Sequence, residues 1–171
     1  MPRKSSKLEP QILDLPPQIM AVVKAKGAPG KVFPEIMPAL YGSVYSLKFD
    51  RKKKGLRDFK VTGLRARYPD AISKPKDQWT IIAGLPVPND VDSLPQKVEG
   101  IQVNLEAWNY GTVAQILYFG AYDQETISIK KLHDYINEKG YIIAGDHEEE
   151  YLTRPNVKMP KTIIRYVINK A

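Results

Sequence analysis

At 171 residues and 43% hydrophobic side chains, the chain has material for one packed core, or for two small modules sharing one, and this excludes global disorder. It has no cysteine, so a disulfide framework, a thiolate zinc site and a cysteine nucleophile are all excluded. With a net charge of +7, from 26 Lys and Arg against 19 Asp and Glu, a nucleic-acid partner has to be tested against where the charges sit.

The first 17 residues are polar and proline-punctuated, carry Arg3, Lys4 and Lys7, and read as a flexible lead-in. They lack the apolar core of a secretory signal, and no later run approaches the ~20 apolar residues that span a bilayer, so the expected location is cytoplasmic. Ile19 to Lys26 suits a strand, closed by Gly27-Ala28-Pro29-Gly30. A helix follows, with Pro34 in its first turn and Ile36, Leu40, Val44 and Leu47 at helical spacing. Arg51-Lys52-Lys53-Lys54, with Gly55 and Arg57, then reads as a solvated basic loop over 51–57. No helix-turn-helix spacing, zinc-finger ligand set or basic-aromatic strand pattern accompanies it.

Lys60 to Tyr68 and Trp79 to Ala83 are the next two strand candidates. Pro86 to Glu99, with three prolines, reads as a linker (86–100) between a first half, 18–85, and a second half, 101–171. Ile101 to Trp108 alternates, with Val103, Leu105 and Ala107 on one face and Gln102, Asn104, Glu106 and Trp108 on the other. After a turn at Tyr110-Gly111 comes a strand from Thr112 to Phe119, then a helix with Asp123 as N-cap and Ile129, Leu132 and Ile136 at core spacing. Lys139-Gly140 supplies its C-terminal charge and glycine stop. Glu149 to Leu152 and Thr162 to Ile168 are the closing strands. Each half runs strand, helix, strand, strand, with one extra strand opening the second: an α+β pattern with antiparallel hairpins.

The second half carries Leu117-Tyr118-Phe119-Gly120-Ala121-Tyr122, Leu132-His133, Gly140-Tyr141, Glu149-Glu150-Tyr151-Leu152 and Lys161-Thr162-Ile163-Ile164-Arg165. The first carries Gly27-Ala28-Pro29, Leu40-Tyr41 and Tyr45-Ser46-Leu47-Lys48. In this order, from about Pro17 onward, they resemble the GyrI-like family of small-molecule-binding domains, where L-H-x-G-P-Y, E-I-Y-L and K-T-x-x-R recur. The resemblance implies a duplicated strand–helix–strand–strand fold, a curved antiparallel sheet with two helices packed on it and a ligand cleft between the halves. It leaves no room for a DNA-binding domain and so implies a stand-alone sensing or sequestering protein. Related domains bind lipophilic, often cationic, aromatic compounds; others interact with DNA gyrase, and some hydrolyse cyclopropane-bearing genotoxins. The chain departs from the pattern at Tyr118, at Ala121, and at Leu64-Arg65-Ala66-Arg67-Tyr68, where many free-standing members have L-E-x-x-W.

On this resemblance Glu149 takes the family's pocket glutamate position, and a strand period of two puts Tyr151 on its side. Read alone, Glu148, Glu149 and Glu150 form a solvated acidic patch. Trp79, Tyr68, Trp108 and Tyr118 are the aromatic candidates for the ligand walls, each having core packing as its plainer explanation. The leading expectation is binding of a small lipophilic, aromatic or cationic molecule. The enzyme alternative uses Glu149 as general base against a strained electrophilic ring, with Glu106 standing in for the acid replaced by Arg65. The third alternative is contact with gyrase or nucleic acid through 51–57. His147 beside Glu148 and Glu149 has the makings of a metal site or base–orienter pair, but without a His-x-x-x-His spacing no metal or cofactor is expected. A triad elbow and a phosphate loop are missing from the sequence.

Overall fold

A computed structural model of the chain describes residues 9–121, 124–154 and 157–171. Its elements in chain order are strands β1 (Gln11–Leu15) and β2 (Gln18–Lys26), helix α1 (Pro29–Lys53), strands β3 (Arg65–Tyr68), β4 (Thr80–Pro86), β5 (Asn104–Trp108) and β6 (Gly111–Phe119). Helix α2 (Thr126–Glu138) and strands β7 (Tyr141–Ile143), β8 (His147–Tyr151) and β9 (Lys161–Lys170) complete them. The chain divides into two compact units, Pro17–Asn109 and Tyr110–Ala171 with Met1–Pro16. Each is an antiparallel sheet carrying one helix, the α+β pattern expected. Among the described residues no helix is long and apolar enough to cross a membrane.

In the Pro17–Asn109 unit the strand order is β3-β4-β2-β5. Val32, Ile36, Leu40 and Val44 recur every four residues along α1, Leu47 extends the stripe, and all are buried. Buried Ala21, Val23, Ile81, Ala83 and Leu85 alternate along β2 and β4, which α1 contacts, giving the helix a smooth apolar seat. The helix begins earlier than expected: Pro29 opens it, leaving Pro34 and Pro38 in its interior. Each forfeits one backbone hydrogen bond, a cost that burial of the stripe outweighs.

At the other end the expected basic loop is a correction. Arg51, Lys52 and Lys53 form the last turn of α1, where the exposed carbonyl ends favour cations. Arg51 is buried, its guanidinium 3.2 Å from Asp90 and donating to the Arg57 carbonyl. β3 is shorter than expected as well. Continuing its register (Arg65↔Gly84) backward would set Gly63 against Pro86, which has no N–H to offer.

β5 was expected to open the second half, but it pairs with β2, from Gln18↔Trp108 to Val22↔Asn104. At its end Trp108 is 2% exposed whereas Ala107 is exposed. The reason is Gly84. A Cβ built there would lie 3.0 Å from Met20 Cε and 3.1 Å from Trp108 Cη2, so its missing side chain is what lets the indole come this close to the β4 backbone. Gly84→Val is therefore expected to destabilise the fold by about 1–3 kcal/mol through overpacking, seen as a lower urea midpoint at unchanged slope.

In the other unit the order is β1-β6-β9-β8, with β7 on β9. β1 arises inside the stretch expected to be a lead-in. Gln-Ile-Leu-Asp-Leu pairs with β6 from Gln11↔Gln115 to Leu15↔Gly111, and Ile12 packs on the core. Leu132 and Ile136 of α2 pack with Ala114, Ile116, Ile164, Tyr166 and Ile168, as the helical spacing predicted. Gly140, at φ +82°, stops the helix. The expected cap Asp123, like Tyr122, lies outside the described residues.

Candidate functional site

The sequence His147-Glu148-Glu149-Glu150-Tyr151 becomes a single strand, so its side chains alternate between two faces. Glu149 pairs with Ile164 and Tyr151 with Thr162, which places His147, Glu149 and Tyr151 on the face that carries the α2 core. Glu148 pairs with Arg165, which puts Glu148 and Glu150 on the opposite face. Glu148 and Glu149 are 2% and 6% exposed, so the solvated-patch reading does not describe them.

On the α2 side, His147 links two partners. Its Nε2 lies 2.6 Å from Glu149 Oε2 and its Nδ1 2.6 Å from the Tyr166 hydroxyl. Tyr151 donates to Glu149 Oε1 at 3.1 Å, so Glu149 and Tyr151 meet as the strand period predicted. Glu125, the residue before α2, adds a carboxyl that hydrogen-bonds Glu149. Burial pushes the Glu149 carboxyl up, but the hydrogen bonds from His147, Glu125 and Tyr151 and the His147 charge outweigh it, and the net direction is below the ordinary range. Tyr166 is pushed well above the usual phenol value, first by burial and then by the Glu149 and Glu125 charges. His133, edge-on to the Tyr166 ring at 5.0 Å, is lowered by burial and by His147.

On the opposite face Arg165 is the hub. Nη1 donates to Glu148 Oε2 at 2.7 Å, Nε to Gln115 Oε1 at 2.8 Å and Nη2 to Glu150 Oε1 at 3.1 Å, while the Tyr110 hydroxyl donates to Glu148 Oε2 at 2.9 Å. Burial opposes its charge, and the two carboxylates more than restore it.

The aromatic candidates fall into separate places. Tyr68 and Trp79 meet edge to face at 5.6 Å in the Pro17–Asn109 unit. Trp108, in the same unit, lies under the Arg67 guanidinium at 3.9 Å from its ring. Tyr118 donates to the Ala121 carbonyl at 2.7 Å on the α2 side of the other unit. Glu106 pairs with Lys24 at 3.1 Å. Glu125, Tyr166, Arg165, Gln115 and Arg67 were not singled out as site residues. Only the period of two in Lys161-Thr162-Ile163-Ile164-Arg165-Tyr166 hints at the split between Arg165 and Tyr166.

Trp79 is held by its loop: the indole N–H donates to the Lys74 carbonyl at 3.0 Å, and Asp70 receives both the Thr80 N–H at 2.8 Å and the Thr80 hydroxyl at 2.9 Å. The bond from the Thr80 N–H leads the causes that hold the Asp70 carboxyl below its ordinary value, and with the Thr80 hydroxyl and the Lys74 charge it outweighs the opposing desolvation. A lowered carboxyl stabilises the native state above its unfolded pKa of about 3.9 and loses that contribution as pH falls through the native value. Asp70→Asn should therefore lower stability at neutral pH and flatten its decline in acid, a comparison made by urea titration at several pH values.

Residues 8–168 match the family model of the GyrI-like small molecule binding domain. Among curated proteins, none is matched by sequence. Among solved structures, an uncharacterized conserved protein from Listeria innocua is similar at 20% identity and TM-score 0.82, covering 98% of this chain and 97% of that one. A hydrolase from Listeria innocua is similar at 20% identity and TM-score 0.80, with coverage of 95% and 93%. The EcmrR C-terminal domain is similar at 14% identity and TM-score 0.66, with coverage of 95% and 98%. At these identities the likeness is one of fold.

Proposed function

The chain belongs to the GyrI-like small-molecule-binding domain family, and from that premise we propose that it binds a lipophilic, aromatic molecule bearing positive charge, in a sensing or sequestering role. The observation that carries the reading is Glu149. A carboxylate only 6% exposed is kept ionised among Tyr151, His147 and Tyr166, and a desolvated anion bordered by aromatic rings is what a lipophilic cation needs. Tyr118, on the α2 side of the same unit, offers an aromatic surface for its apolar part. The test is a thermal-shift series pairing lipophilic cations with neutral isosteres of the same shape, each mixture then analysed by mass. The cation should raise the melting temperature with concentration and be recovered unchanged. Equal response to the neutral isostere would remove Glu149 from the account.

A second reading, hydrolysis of an electrophilic, strained substrate, is favoured by one feature: the hydrogen-bonded chain Tyr166–His147–Glu149, with 2.6 Å at each link. Such a chain orients a base toward water. A water-added product in the same mixtures, lost in both Glu149→Gln and His147→Gln, would select it. Contact with gyrase or nucleic acid has less support, because Arg51 is buried and already paired with Asp90.

A further inference from the structure

Glu125, His147 and Glu149 each offer one donor atom, and the three atoms lie within 4.8 Å of one another. We propose that these residues form a binding site for a divalent cation of the zinc class. Two elements build it. The strand period puts His147 and Glu149 on the α2 side of β8, and the start of α2 sets Glu125 over them.

The surrounding hydrogen bonds have the pattern of a prepared metal site. An imidazole ligand needs its second nitrogen fixed by a partner, which sets the tautomer and the ring plane. The Tyr166 hydroxyl takes that place at 2.6 Å from His147 Nδ1, leaving the Nε2 lone pair for a cation. The Tyr151 hydroxyl likewise holds Glu149 Oε1, leaving Oε2 on the His147 side. The 2.6 Å between Nε2 and Oε2 is a hydrogen-bond distance, so a proton lies between them in the metal-free state. A cation bonded to each donor at about 2.0–2.2 Å requires the pair to open by less than about 1 Å, and it displaces that proton together with the one shared by the Glu125 and Glu149 carboxyls.

The donor set selects the ion. One imidazole and two carboxylates suit zinc and its first-row neighbours, whereas magnesium and calcium prefer oxygen alone. Three protein ligands leave one tetrahedral position for water or for a donor atom of a small molecule. The inference stands apart from the ligand reading above, since metal uptake is measured with no organic molecule present. The two occupants would compete for Glu149.

The test is equilibrium dialysis of the full chain, stripped with chelator, against Zn2+ in the presence of excess Mg2+, with elemental analysis and the absorption spectrum of the Co2+-loaded protein. The expected result is one zinc per chain and a Co2+ spectrum of four- or five-coordinate intensity. Glu125→Gln and His147→Gln, with unchanged circular dichroism, should each abolish stoichiometric uptake. Tyr166→Phe should weaken affinity about tenfold or more and shift the Co2+ spectrum, as befits a positioning residue. Substoichiometric uptake by the unaltered chain would overturn the proposal. So would one equivalent retained by the folded Glu125→Gln/His147→Gln double variant.

Discussion

Arg165→Ala is expected to destabilise the protein by about 3–5 kcal/mol, the cost of breaking a buried ion pair from one side. The guanidinium is 6% exposed and donates to Glu148, Glu150 and Gln115. Its loss takes the cation from a Glu148 carboxylate that is itself 2% exposed. Urea unfolding followed by circular dichroism measures the change. The double variant Arg165→Met/Glu148→Leu sharpens the test. Removing both charges together should recover much of the loss, because the desolvation of an intact buried pair offsets most of its attraction. If the single variant alone costs under 1 kcal/mol, the network is a surface feature and its placement on β8 and β9 is wrong.

Trp108→Ala should cost about as much, about 3–5 kcal/mol, for a different reason. The indole is 2% exposed, lies against Gly84 and stacks under Arg67. Truncation leaves a cavity bounded by Met20 and the β4 backbone that the rigid sheet cannot close. Trp108→Phe should cost distinctly less. The two losses lie in different units, so the double variant Trp108→Ala/Arg165→Ala also reports whether the units unfold together.

Much of the fold could be read from local pattern. The stripe Ile36, Leu40, Val44 and Leu47 and the set Ile129, Leu132 and Ile136 mark both helices, and Gly140 marks a stop. Runs of branched residues mark β2, β4, β6 and β9. What failed was pairing. Nothing local tells β1 to join β6, or β5 to join β2, because those are long-range register choices. Interior Pro34 and Pro38 hid the start of α1, since propensity argues against a helix that tertiary packing enforces. The site was half legible. Glu149 and Tyr151 follow from resemblance and strand period, but Glu125, Tyr166 and Arg165 join their clusters only through contacts across elements. The three consecutive glutamates mislead as a charge run, because they serve two faces of one buried strand.

The most direct test of small-molecule binding through Glu149 is a fluorescence titration of the best lipophilic cation against the unaltered chain, Glu149→Gln and a Lys52→Ala/Lys53→Ala/Lys54→Ala variant. Loss of a charged contact worth about 1.5–3 kcal/mol should weaken binding by Glu149→Gln roughly ten- to hundredfold. The lysine variant should bind as the unaltered chain does. Unchanged affinity in Glu149→Gln, with binding lost or strongly salt-dependent in the lysine variant, would contradict the account and move the functional surface to the end of α1.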